Sequence, residues 1–259
     1  MMSDLIWRFS FLIAVGSLIW VLHKFFGTYP SPLPKSKTPS KEILLALLLW
    51  GIAVTFPILM MDVIFPLLNR AVTNRTLNQL IQVPLRSVPY VLLPLILILR
   101  PRRWTASDLG LSLRNQSRSV TVFAVSVGLG SGIIAHLTGQ SNLGIAALPA
   151  GELLLLFYNN AFLEEFYHRG IIQGLLERSA GQMMAIFWGG LLFGLTHVVF
   201  DINALLETGG ILVVLSAILL QTMAGWLFGI IFMKTRSLWP GIICHYLANW
   251  LPSILALLH

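Results

Sequence analysis

The sequence predicts an all-α integral membrane protein, with about eight transmembrane helices enclosing a polar cavity. Three observations lead there. The 259 residues are 56% hydrophobic and only 10% charged, where soluble domains carry about 25% charge, and the mean hydropathy is +0.82. Apolar stretches of roughly 20 residues, long enough to cross a bilayer, recur about eight times. These stretches are continuous instead of alternating, and lipid admits only backbones that satisfy themselves, so they read as helices. No sizeable soluble region is left over, and residues 1–259 are expected to form a single membrane domain.

The spans fall at about 5–23, 42–68, 80–99, 120–138, 152–176, 183–200, 209–233 and 238–258. The first is long, has no small-residue cleavage site and ends at His23-Lys24, so it reads as a retained span and not a removed signal. Tyr29-Pro30-Ser31-Pro32-Leu33-Pro34 follows as a stiff extended linker, and Ser40-Lys41-Glu42 offers a cap for the second helix. The third span is expected to stop at Arg100-Pro101-Arg102-Arg103-Trp104, where the proline ends the helix and Arg and Trp suit the headgroup zone. Residues Ser107 to Arg114 read as an interfacial segment, and Gly139 to Gly151 as a polar connection into the fifth span. Gly189-Gly190 and Gly225 are small-residue sites where helices can approach closely.

The formal charge of +7 suits a membrane protein whose Lys and Arg gather in cytoplasmic loops, and no nucleic-acid partner is expected. With eight spans, 12 of the 17 basic residues fall on one side, from Lys24 and Lys35 to Lys234 and Arg236. Arg8, Arg70, Arg75 and Arg86 fall on the other, and Arg169 lies inside a span. By the positive-inside rule the basic side is cytoplasmic and both termini are outside. Cys244 is the single cysteine, which excludes an internal disulfide and a Cys-rich metal site.

The polar residues inside the spans carry the chemistry. Glu164 and Glu165 are adjacent in the fifth span, four residues before Arg169. A charge at membrane depth costs about 3 kcal/mol even on lenient scales, so such a cluster marks a functional site. Residues four apart share a helix face, so Glu165 can pair with Arg169 and Glu164 faces with His168. The sixth span carries Phe193 and His197, and the eighth carries His245 and Asn249, again four apart. If the three helices pack together, Glu164, Glu165, His197, His245 and Asn249 line one pocket suited to hydrolysis. A Glu–His pair can take a proton from water, and His and Asn can donate to the oxyanion of an attacked carbonyl. Cys244 adjoins His245, but helix neighbours point about 100° apart, which argues against a thiol nucleophile.

Glu164-Glu165 with Arg169, Phe193 with His197, and His245 with Asn249 follow the patterns EExxxR, FxxxH and HxxxN, in that order. In this the chain resembles the type II CAAX prenyl endopeptidases and the wider group of CAAX proteases and bacteriocin-processing or immunity proteins. Leu238-Trp239-Pro240-Gly241 and Gly110-Leu111-Ser112-Leu113-Arg114 are also similar to that group. The resemblance covers about residues 100–255. It implies an eight-helix intramembrane endopeptidase with a catalytic cavity open toward the cytoplasm. Glu164 and His197 would activate the water, His245 and Asn249 would stabilise the oxyanion, and Glu165, Arg169 and Phe193 would support the geometry. His168 falls where the motif is open and receives no role.

No cofactor is expected. Two His and one Glu could hold zinc, but no His-Glu-x-x-His helix is present and Arg169 disfavours a divalent cation. The expected partners are the lipid bilayer and a membrane-associated peptide or protein substrate, which the resemblance extends to prenylated ones. In a prokaryote the location would be the plasma membrane. Two other classes use the same residues: a proton-coupled transporter, for which broken helices in two matched halves are lacking, and a catalytically silent immunity or scaffold protein.

Overall fold

The computed structural model describes residues 2–102, 104–113, 117–138 and 150–256, and within these it is helical with no strand. We number the helices α1 (Met2–Phe25), α2 (Pro39–Ala71), α3 (75–102), α4 (Arg118–Leu137), α5 (150–180), α6 (182–209), α7 (Gly210–Thr235) and α8 (Trp239–Ala256). α6 and α7 follow each other without a loop, and the break between them is Gly210, at φ 66° and ψ −163°. Among the described residues, five helices are long and apolar enough to cross a membrane: α1, α2, α3, α4 and α7. The other three, α5, α6 and α8, are those that carry Glu164, His197 and His245.

Local chemistry sets the ends. α2 starts at Pro39, whose missing N–H costs nothing in a first turn, so Ser40 lies inside the helix and does not cap it. Asn74 caps α3 by accepting from the Leu77 N–H at 2.9 Å, and Ser117 caps α4 through Val120. Pro101 does not stop α3, which continues through Arg102; in a last turn the proline removes only one ladder bond. Gly181, at φ 87°, closes α5. Wide π turns interrupt α2 at Met60–Ile64, α3 at Val88–Leu92, and α5 at Phe157–Phe162 and Phe166–Gln173. Those in α2 and α3 lie at Pro57 and Pro89, where a missing N–H already loosens the ladder.

The helices pack through their small residues. α4 lies along α8, and a Cβ on Gly128 would sit 2.7 Å from the Cys244 carbonyl oxygen. α6 and α7 cross at Gly190 and Gly225, where a Cβ on Gly225 would sit 2.8 Å from the Gly190 Cα. Gly190 and Gly225 thus serve the close approach expected of them, while Gly189 makes only ordinary contact with Gln173. α2 is tied to α6 by the Trp50 indole N–H, which is shared between the Leu192 carbonyl at 2.9 Å and the Thr196 hydroxyl at 3.0 Å.

One end of the bundle is laced by polar contacts. Arg236 makes a two-pronged pair with buried Glu177, both distances 2.7 Å, and Glu177 also accepts from the Leu33 N–H. Lys234 donates to the Gly27 carbonyl, and Ser36 to that of Arg178. The proline linker therefore runs strapped across α5 and α7. Residues 104–113 dock onto the bundle. Trp104 and Leu109 are buried, Gly170 and Gly174 make room for them on α5, and the Gly110 carbonyl accepts from the Leu238 N–H. The basic loops predicted to share a side do meet at this end.

Candidate active site

Leu163–Glu165 is a single α-helical step between two π turns, and it presents the two glutamates in different directions. Glu165 is turned inward and is 1% exposed. Its Oε1 accepts from the His245 Nδ1–H at 3.0 Å, and its Oε2 lies 3.3 Å from the Arg169 Nε. The guanidinium of Arg169 is otherwise held by aromatic faces, 4.3 Å from the Phe193 ring centre and 5.6 Å from that of Phe228. Phe228 also stacks on the His245 ring at 5.2 Å. The predicted Glu165–Arg169 pair is present, and His245 is its third member.

Glu164 turns the other way and keeps 28% of its side chain accessible. Its Oε2 lies 3.5 Å from the His197 Nε2 and 3.9 Å from the His245 Nε2. The opposite nitrogen of His197 donates to the Phe193 carbonyl at 2.9 Å. A carbonyl can only accept, so the proton on Nδ1 is assigned and Nε2 is the nitrogen that faces Glu164. Phe193 thereby orients His197 through its backbone and Arg169 through its ring.

Glu164 and His197 lie on the wall of a cavity of about 290 Å³, together with His168, Tyr90 and Arg86. The rest of the wall is largely apolar, with Phe56, Met60, Met61 and Phe65 from α2. His168 is 4% exposed and packs edge-on against Phe193 at 5.0 Å. Asn249 stands one turn beyond His245 on α8, half-buried, outside the cavity wall; among the described residues its side chain has no hydrogen bond. Cys244 is buried in the seam with α4. Of the five residues expected to line one pocket, Glu164 and His197 are on the cavity wall; Glu165 and His245 reach them by contact from behind it, and Asn249 does not touch them.

Sequence reasoning missed Arg86, Tyr90 and Asn159. Tyr90 stacks edge-on against Tyr167 at 5.0 Å, and Arg86 donates to the Asn159 carbonyl at 3.4 Å. By sequence Arg86 counts only among the basic residues of the non-cytoplasmic side; its place within the apolar window Leu77–Leu99 is the signal that separates it from a loop charge.

Among the described residues no group of three or more His, Cys, Asp and Glu has the geometry to hold a metal ion. Comparison with known proteins gives one match. Residues 146–251 match a family model described as Rce1-like, type II CAAX prenyl endopeptidase Rce1-like. This bears out the resemblance read from the three motifs, and the match lies inside the expected core of about 100–255. No curated protein and no solved structure matches the chain.

Proposed function

Starting from an Rce1-like segment at residues 146–251 in a chain of apolar helices, we propose that this protein is an intramembrane endopeptidase. Its substrate is a membrane-associated peptide or protein, and its catalytic cavity lies between α2, α3, α5 and α6. The observation that carries the reading is the placement of Glu164. A carboxylate 3.5 Å from an oriented imidazole, on the wall of an otherwise apolar cavity, is a water-activating pair.

In this reading a water held between Glu164 and the peptide carbonyl gives its proton to the carboxylate, with His197 in hydrogen-bond reach of the same oxygen. The hydroxide adds to the carbonyl carbon. The proton then passes to the amide nitrogen as the C–N bond breaks, leaving a carboxylic acid and an amine. The oxyanion needs donors. His245 is proposed as one donor: its Nδ1 is held by Glu165, and its Nε2 faces Glu164. Asn249 is proposed as a second donor, brought in by rotation of its side chain when substrate binds. Glu165 and Arg169 are positioning residues, acting through His245 and Phe193.

The reaction is proposed to run without metal. Both histidines direct Nε2 toward Glu164 at hydrogen-bonding and ion-pairing distances, an arrangement suited to sharing protons with a carboxylate.

Two features bear on orientation. The basic count makes the laced end cytoplasmic, whereas the cavity wall from Ala53 to Phe65 belongs to the half of α2 away from that end. A cytoplasmic mouth would then require cytoplasmic termini, the reverse of the count. Membrane-impermeant labelling of single cysteines at Lys37 and Asn74, in a Cys244→Ala background, decides between them.

The function itself is tested with purified protein and a quenched fluorescent peptide. Glu164→Ala and His197→Ala should each abolish cleavage while the protein remains folded. Undiminished turnover in both variants would refute the assignment.

A further inference from the structure

One imidazole on the cavity wall has no part in the mechanism above. His168 lines the same cavity as Glu164 and His197, with only 4% of the residue exposed. Its ring is wedged between two others, edge-on to Phe193 at 5.0 Å and to Tyr167 at 5.9 Å. Its Nδ1 is buried and has no hydrogen-bond partner. The ring therefore meets the cavity through its other edge, which carries Nε2. A neutral imidazole has one proton, and Nε2 is the nitrogen that can use it; a charged imidazole has a proton on each. In either state an N–H faces the cavity. Phenylalanine would fill the same place without burying an unpaired nitrogen, so packing alone does not account for a histidine here.

We infer that His168 is a further catalytic residue, whose Nε2–H donates to the oxyanion formed when hydroxide adds to the peptide carbonyl. This rests on the protease reading above. The wall is short of donors for that oxygen. Asn249 lies outside it, and His197 gives Nδ1 to the Phe193 carbonyl and turns Nε2 to Glu164. Arg86 and Tyr90 are set by α3, whereas His168 is carried by the same helix as Glu164, four residues on. Side chains at that spacing start about 5–6 Å apart, which leaves room for an attacking water at one and a carbonyl oxygen at the other. The packed rings hold the imidazole in place, so it need not reorganise as charge develops. Phe193 also touches the His197 ring, at 4.4 Å, and so fixes the donor relative to the partner of Glu164. His168 transfers no proton in this step. The proton of the water goes to Glu164 and then to the amide nitrogen as the C–N bond breaks, and the hydrogen bond from His168 weakens when the C=O bond re-forms.

The test uses the full-length protein in micelles with a quenched fluorescent peptide and its phosphonamidate analogue, in which a tetrahedral phosphorus replaces the scissile carbonyl carbon. His168→Phe should lower kcat by about 10²- to 10³-fold, the loss expected for one oxyanion donor, with KM and the melting temperature unchanged. Its affinity for the phosphonamidate should fall in step with kcat/KM. His168→Gln places an amide N–H near the position of the imidazole Nε2 and should recover at least 10-fold of the lost rate. Undiminished kcat in His168→Phe, or a loss confined to KM, would overturn the role. So would a Gln variant as slow as the Phe variant, which would make a titrating ring the requirement and not a hydrogen-bond donor. If His168→Phe does not fold, His168→Met takes its place in the comparison. A wild type that neither cleaves the peptide nor binds the phosphonamidate would refute the protease reading and this role with it. Full-speed cleavage by His168→Phe would refute the role of His168 alone.

Discussion

Glu165 stands between Arg169 and His245 with almost no solvent contact, and its replacement by glutamine gives a sharp test of the positioning shell. Gln keeps the size and removes the charge. At the observed 3.3 Å to Arg169, and an effective dielectric of about 20, the ion pair is worth roughly 5 kcal/mol of Coulomb energy. Removing one partner of a buried pair exposes the desolvation cost of the other, with losses of about 3–5 kcal/mol. For a chain of this size that corresponds to an apparent melting temperature lower by roughly 10 °C. The eight tryptophans provide the signal, as intrinsic fluorescence during heating in micelles. The reasoning also fixes the second substitution. With Arg169→Met added, the stranded charge is gone, and the double variant should regain at least half of the loss. If Glu165→Gln melts with the wild type, or the double variant is less stable than the single, Arg169 is not held by Glu165 and the shell has been misread.

Three further outcomes are expected. Glu164→Gln should lower kcat/KM by about 10²- to 10⁴-fold with an unchanged melting temperature, because Glu164 faces the cavity and not the core; a matching loss of stability would place it with Glu165 as a structural residue. 1,10-Phenanthroline should leave cleavage intact, and full inhibition reversed by added zinc would sink the metal-free mechanism. Gly225→Ala should destabilise the protein by about 1–3 kcal/mol, because its methyl would press on the Gly190 backbone and backbone cannot swing aside. Gly51→Ala, with open space around it, serves as the control and should melt with the wild type.

Much of this arrangement was legible in the residues because membranes enforce simple rules. Uninterrupted apolar runs located the helices, and the cost of burying Glu164 and Glu165 pointed to the site before any packing was known. Spacing by four gave the Glu165–Arg169 pair. The same rule gave no more than a shared face for His245 and Asn249, and tertiary packing brought only His245 to the glutamates. Arg86 was lost because a lone basic residue near a span end has a common, bland explanation. The docking of 104–113 was lost because glycines at 170 and 174 report a close neighbour without naming it. Pro101 was overweighted, since a proline in a last turn breaks little.

The π turns of α5 carry a consequence for how this chain tolerates insertions and deletions. A π turn holds one residue more than an α turn, and one residue is about 100° of helix rotation. Ahead of the glutamates, α5 answers to α3 and α8, through the Tyr158 hydroxyl on Ser87 and the Leu153 carbonyl under Tyr246. Behind them it answers to residues 104–113 through Gly170 and Gly174. Shortening 157–162 by one residue would close that turn to α geometry and rotate one of these surfaces away from its neighbours. The glutamates are thus phased separately from the helix that enters the bundle and the helix that leaves it, and single-residue indels in α5 should be far more damaging than substitutions at the same positions.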